Sequence, residues 1–418
     1  MTDTRPDPCA SPKSGLLSVE EARAKIAALV QVIEGAQQLP IRDTLDRVLA
    51  QEVISGIDVP PHDNSAMDGY ALRGADVPGE GETTLRLIGK AFAGTPFAGE
   101  VGAGECVRIM TGALIPRGAD TVVMQEQVRA EDERIVVGAG HPPGSNVRRA
   151  GEDMARGEVV LRPGHRVTPA DLGVLASLGL GEVRVRRRLR VAFFSTGDEL
   201  CSVGEPLRAG QIYDSNRYTL HGMLRRLGVE PFDLGVIRDE RAAIQQAFRD
   251  ASAMADVVIT SGGVSVGEAD YVKQTLDELG QVDFWRIAMK PGKPLAFGRL
   301  GEAVFFGLPG NPVSVMATFY QFVQPALRAM TGEPQAPATT LRLPTETPLK
   351  KAPGRTDFQR GRLVRDGDGQ LRVNSTGLQG SHVLTSMSHA DCFIILPAHR
   401  GDVAAGELVE VQPFAGLI

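Results

Sequence analysis

Between residues 186 and 332, short β-branched runs alternate with helical stretches, and this alternation narrows the fold more than any other feature of the chain. Repeated strand–helix units dictate a doubly wound, mostly parallel sheet with helices on both faces. Such sheets bind ligands outside the carboxyl ends of their strands. The sharpest unit is Val257-Val-Ile259 with the residues after it. That run has the pattern of a strand buried on both faces. Gly262 and Gly263 end it with backbone that turns sharply and lets a ligand approach. Tyr271, Val272, Leu276 and Leu279 then repeat at roughly helical spacing. Strand, glycine turn and helix start together aim backbone N–H groups at an anion. Glu268 and Asp270 stand at the same turn, where a bare phosphate would be repelled. Carboxylates beside a phosphate cradle point to Mg²⁺ between them.

Other polar groups also fall just after strand-like runs. Val191 to Phe194 leads to Asp198 and Glu199, a run near 231–237 to Asp239, and one near 283–288 to Lys290 and Lys293. Ala303 to Phe306 leads to Gly310 and Asn311. Helices are expected near 240–254, after Asn216 as a cap, and from Asn311 to about Met330. Turns are polar in any protein, so the set carries the argument rather than any one member. Carboxylates would hold Mg²⁺, and lysines would neutralise charge on a phosphate leaving group. A competing reading exists, because Gly263-Val-Ser265-Val-Gly267 also fits the nucleophile elbow of a serine hydrolase. Its histidine would have to be His382 or His389, and no HGGG-type oxyanion segment precedes it. No Walker or GxGxxG pattern is present.

Ser18-Val-Glu-Glu21 is a capping box opening a helix over about 18–34, and Thr168-Pro169 opens another. Between them, glycine, proline and short β-like runs dominate 56–147. The expected organisation is a split linker domain (16–55 and 148–185), an inserted β-rich domain (56–147), a doubly wound α/β domain (186–332) and a C-terminal β-barrel (333–418). Asp68-Gly69 reads equally as a hairpin turn or a functional group, Met110 to Ala113 is ambiguous in the same way, and the pair Arg148-Arg149 reads more readily as a solvated face than as an anion clamp. The same holds for Arg355, Arg360 and Ser381 in the tail, as anion ligands or barrel rim. A formal charge of −6 argues against nucleic acid as a partner. Four scattered cysteines form no CxxC pair, which suits a reducing compartment. No run approaches a membrane span and no apolar leader is apparent, so a cytoplasmic protein without membrane attachment is expected.

DNSAMDGYA (63–71), RIMTGA (108–113), RRAGED (148–153), FSTGDEL (194–200), SGGVSVGEAD (261–270), MKPGKP (289–294), GLPGNPVS (307–314) and TGLQGSH (376–382) occur in this order. Together they resemble the MoeA family of molybdopterin molybdenumtransferases, related to the E domain of gephyrin. The resemblance implies four domains in a homodimer, with a central domain similar to the molybdopterin adenylyltransferases. It implies molybdenum cofactor biosynthesis: molybdate is inserted into adenylylated molybdopterin and AMP released, with Mg²⁺. By the same resemblance, Asp68 and Thr111 reach the active site from the partner subunit, with Arg148 and Asp153 close to that junction. Glu199, Asp239, Asp270, Lys290 and Lys293 line the α/β pocket, with Glu199, Asp239 and Asp270 as metal ligands. Gly262, Gly263, Ser265 and Asn311 contact substrate, and Arg355 and Ser381 approach from the tail. Arg286 stands where some members have lysine, which keeps the charge and alters the geometry. Implied partners are the molybdopterin adenylyltransferase and molybdoenzyme chaperones.

Overall fold

The computed structural model describes residues 15–262 and 271–414. The chain divides into two compact units, one of residues 1–37, 46–48 and 186–418, the other of residues 38–45 and 49–185.

The first unit contains the alternating segment. Its strands are β1 (Arg190–Thr196), β2 (Glu230–Ile237), β3 (Val257–Ser261), β4 (Gly280–Arg286), β5 (Pro294–Leu300) and β6 (Ala303–Leu308). They form one sheet in the order β2-β1-β3-β6-β5-β4. β2, β1, β3 and β6 are parallel, β5 runs antiparallel to β6, and β4, antiparallel to β5, points the same way as the parallel set. The connections explain this departure from an all-parallel sheet. Only Gly301 and Glu302 separate β5 from β6, which permits a hairpin and no crossover. Helices α1 (Ser215–Arg226), α2 (Arg241–Met254) and α3 (Tyr271–Leu279) supply the crossovers. Val257, Val258 and Ile259 of β3 are fully buried, and they feed two different cores. On one face Ile259 packs with Phe193, Leu220 and Phe306. On the other Val258 packs with Phe194, Phe248 and Phe305. Double-sided burial of this kind is why β3 reads as an unbroken apolar run.

The capping box at Ser18 and Glu21 is present, and the helix it opens spans Val19–Leu29. Its Val19, Ala22 and Ile26 join the first of those cores. Asn216 does not cap α1. Asp214 does, accepting the Arg217 amide, because a carboxylate one step before the helix satisfies a free N–H. After β6, the apolar helix from Pro312 to Met330 widens at Phe319–Val323. The tail forms a second sheet in which Met289–Lys290, Thr356–Arg365, Cys392–Leu396, Leu408–Pro413 and Leu341–Pro344 lie in that order. Leu371–Ser375 pairs with Thr356–Arg365, and Thr345 bridges Val373, which curls the sheet round on itself.

The second unit holds another six-stranded sheet, in the order Thr121–Met124, Gly69–Leu72, Glu105–Ile109, Glu82–Ala91, Arg134–Gly138, Val128–Glu131. Apolar side chains cover both of its faces. Pro169–Ser177 is the helix expected after Thr168, with Thr168 and Asp171 completing its capping box. Among the described residues no helix is long and apolar enough to cross a membrane.

Candidate active site

In an open α/β sheet, strand ends meet in a crevice where the crossovers change direction. Here β1 leads to β2 on one side and β3 lies on the other, so the carboxyl ends of these strands and of β6 surround one cavity of about 1010 Å³. Its walls include Gly197 and Glu199 after β1, Asp239 after β2, Gly262 after β3 and Asn311 after β6. Lys290 and Lys293 enter from the loop between β4 and β5, and Arg355 and Ser381 from the curled sheet.

Specific contacts fix these positions. Gly262 has φ +91°, and a Cβ there would sit 2.8 Å from the Thr196 carbonyl oxygen, so β3 can end against β1 only with glycine. Asp198 accepts the Asp239 amide at 3.2 Å, linking the loops that carry Glu199 and Asp239. Asn216 donates to Ser261 Oγ at 2.8 Å and to the Gly310 carbonyl at 2.6 Å, holding the ends of β3 and β6 together. Asn311 donates to Ser381 Oγ at 3.1 Å, and the Val313 amide donates to the Ser381 carbonyl at 3.1 Å. These bonds tie the curled sheet to the cavity. Met289 and Lys290 pair in parallel with Thr356 and Asp357, which brings Arg355 to the same wall. Fully buried Arg360 donates to the carbonyls of Leu378 and Gly380 and shapes the loop that presents Ser381.

The cavity wall is therefore mixed in charge: carboxylates at Glu199 and Asp239, cations at Lys290, Lys293 and Arg355. Among the described residues no group of three or more His, Cys, Asp or Glu side chains forms a ready-made metal cage. Mg²⁺ commonly takes only one or two carboxylates and completes its shell with water and phosphate oxygens. The two cavity carboxylates fit that requirement. Gly263, Ser265, Glu268 and Asp270 lie outside the described residues. Arg286 ends β4 opposite Pro294, exposed, and is not among the residues lining the cavity.

The remaining expected residues lie in the second unit, where three motifs converge. Asp68 Oδ1 accepts the Thr111 amide at 2.8 Å and its hydroxyl at 2.7 Å. Those two bonds, amide first, hold the Asp68 carboxyl below its ordinary range, so it is a fixed anion at neutral pH. Gly69 packs so close to the Val123 carbonyl that no side chain fits there. Arg148 pairs with Asn64 along a short ladder, and Arg149 meets Asp63 at 2.6 Å. The Asp63 partner was not foreseen from sequence, although a lone acid opening a polar turn signals such a role. Asp153 is exposed and donates its amide to the Val59 carbonyl.

Residues 17–179 match the model of the MoeA N-terminal region (domain I and II), 192–329 that of a probable molybdopterin binding domain, and 342–414 that of the MoeA C-terminal region (domain IV). A molybdopterin molybdenumtransferase of Haemophilus influenzae is 48% identical over 406 residues, covering 96% of this chain and 100% of the relative. The chain belongs to the MoeA family. A Nostoc molybdopterin molybdenumtransferase is 40% identical over 77% of this chain and 76% of its own length. The crystal structure of the molybdopterin biosynthesis MoeA protein of Pyrococcus horikoshii superposes with a TM-score of 0.84 at 29% identity, over 96% of this chain and all of that one.

Proposed function

We propose that this chain is a molybdopterin molybdenumtransferase: it brings together adenylylated molybdopterin and molybdate, and yields molybdenum cofactor and AMP. One observation carries the reading. Two carboxylates and three cations from four separate segments surround one cavity at the carboxyl edge of the α/β sheet. A substrate with a phosphoanhydride and an oxyanion as co-substrate needs such a mixture. Lys290, Lys293 and Arg355 bind the phosphates and stabilise the charge that develops on departing AMP. Asn311 and Ser381, bonded to each other, orient the polar edge of the substrate. The Gly262 turn admits it close to backbone. Glu199 and Asp239, with Asp270, would hold Mg²⁺. When bound, this ion supplies positive charge to the phosphoanhydride oxygens.

Asp68, kept ionised by Thr111, is a positioning or proton-handling group rather than a nucleophile. We assign it to the active site of the partner subunit in a homodimer, with Arg148 and Asp153 near that junction. The four-domain organisation, and docking with the adenylyltransferase and molybdoenzyme chaperones, belong to the same proposal. The test is incubation of purified protein with adenylylated molybdopterin, Mg²⁺ and molybdate. AMP release and metal incorporation in equal amounts support the reading. Protein that binds these molecules and releases no AMP would end it.

A further inference from the structure

The curled sheet carries buried charge that the proposed reaction does not use. Asp357 is 4% exposed, Lys351 6% and Arg360 1%. Charged groups at this depth need compensation, since an isolated ion loses its hydration. Lys351 Nζ donates to the carbonyls of Arg400 at 2.7 Å, Ala352 at 3.3 Å and Ala398 at 3.4 Å. Arg360 donates to Ser386 Oγ at 3.0 Å and to the Gly380 carbonyl at 3.1 Å. All of these acceptors are neutral. Burial pushes the Arg360 guanidinium down to about 10 and lowers the Lys351 ammonium, and for both the opposing influence is Asp357. Arg355 and Lys290 lie close enough to Lys351 to repel it. One carboxylate thus answers to several cations.

Geometry gives that carboxylate a particular partner. Lys290 and Asp357 are directly opposite in the parallel pairing. Asp357 Oδ2 accepts Gln359 Nε2 at 3.1 Å and lies 3.9 Å from Lys290 Nζ. Lys290 is half exposed and lines the cavity, whereas its counterion is locked in the core. A lysine is a flexible stem ending in a point charge, so a fixed anion at its base decides where the charge rests. We infer that Asp357 is a positioning residue, holding the Lys290 ammonium at the cavity wall while Lys351, Arg360 and Arg355 keep that wall net positive toward a phosphoanhydride. This rests on the reading of Lys290 as a phosphate-facing group.

The test is a double-mutant cycle on AMP release with Asp357→Asn, Lys290→Ala and both together, with thermal unfolding recorded for each. A catalytic charge displaced by about 1 Å costs on the order of 100-fold. Asp357→Asn is expected to lower kcat by roughly 10- to 100-fold and to leave KM within about threefold. The double variant is expected to be no slower than Lys290→Ala, because without the ammonium nothing remains to be positioned. Additive losses, or a change confined to KM, overturn the inference and leave the proposed reaction standing. Lys290→Ala with wild-type AMP release sinks that reaction instead. Should Asp357→Asn not fold, Asp357→Glu keeps the charge and enters the same cycle: its loss must vanish in the Lys290→Ala background, and a persisting loss refutes the inference.

Discussion

Gly292 stands between the two cavity lysines, and replacing it with alanine tests how tightly their loop is held. Its φ is +98°, where an L side chain costs about 1–2 kcal/mol. A Cβ there would lie 2.6 Å from Thr318 Oγ1 and 3.4 Å from Met289 Cε. Thr318 and Met289 are both fully buried, so neither retreats without disturbing the core. Overpacking of this kind costs about 1–3 kcal/mol. Gly292→Ala should therefore destabilise the first unit by roughly 3 kcal/mol in total, summing the conformational and packing contributions. Trp285, the one tryptophan of the chain, lies on β4 and reports this unit's denaturant unfolding by fluorescence. Among the described residues Thr318 Oγ1 has no hydrogen-bond partner, so Thr318→Ala loses none of the described bonds and costs about 1 kcal/mol for its methyl group. In the Gly292→Ala background the same change should return about 1–2 kcal/mol by removing the clash. AMP release by Gly292→Ala should fall at least about tenfold as Lys290 and Lys293 shift. Stability within about 0.5 kcal/mol of wild type, a difference ordinary for surface changes, would refute this account of the loop.

Mixed dimers test the proposed shared active site: Asp68→Asn and Lys290→Ala chains, each expected to be inactive alone, should recover about a quarter of wild-type AMP release after random reassociation, since half the dimers then hold one intact site. No recovery would place both residues in one subunit's site. Asp256 accepts both Arg187 guanidinium nitrogens, at 2.7 and 2.8 Å, and the Arg190 amide at 2.8 Å. Burial alone would raise its carboxyl, but these donors outweigh it and hold the carboxyl below the ordinary 3.8. A depressed folded value means stability that is present above the unfolded value and lost as pH falls through the folded one. Asp256→Asn should thus cost about 2 kcal/mol at neutral pH, and wild type and variant should converge in urea titrations below about pH 4. Equal stability at pH 7 would contradict this. EDTA should stop AMP release and added Mg²⁺ restore it, with the thermal transition unmoved, because Glu199 and Asp239 are exposed and take no part in the cores. Full turnover in EDTA would remove the metal from the account.

Features encoded over a few neighbouring residues could be read from sequence. The β3 run, the Gly262 turn, the Ser18 capping box, the Thr168 cap and the polar groups after strands depend on local pattern, and pattern is enough. The reversed strand β5 was not legible, because short apolar runs look alike in parallel and antiparallel sheets, and only the two-residue connection to β6 separates them. The sequence pattern offers Asn216 as a cap, whereas Asp214 does that work and frees the Asn216 amide to join Ser261 and Gly310. Asp357 was invisible for another reason. Within a strand it resembles any alternating polar residue, and its meaning comes from register with Lys290, 67 positions away in the chain by residue number. Arg286 sits only four residues before Lys290, yet it ends β4 on an exposed position away from the cavity lining. Nearness in sequence does not carry a side chain round a turn.

The most direct measurement is a crystal structure with AMP and Mg²⁺ bound. The AMP phosphate should lie between Lys290, Lys293 and Arg355, with the metal on Glu199 or Asp239. A phosphate bound elsewhere, or a metal held by neither carboxylate, would contradict the central claim.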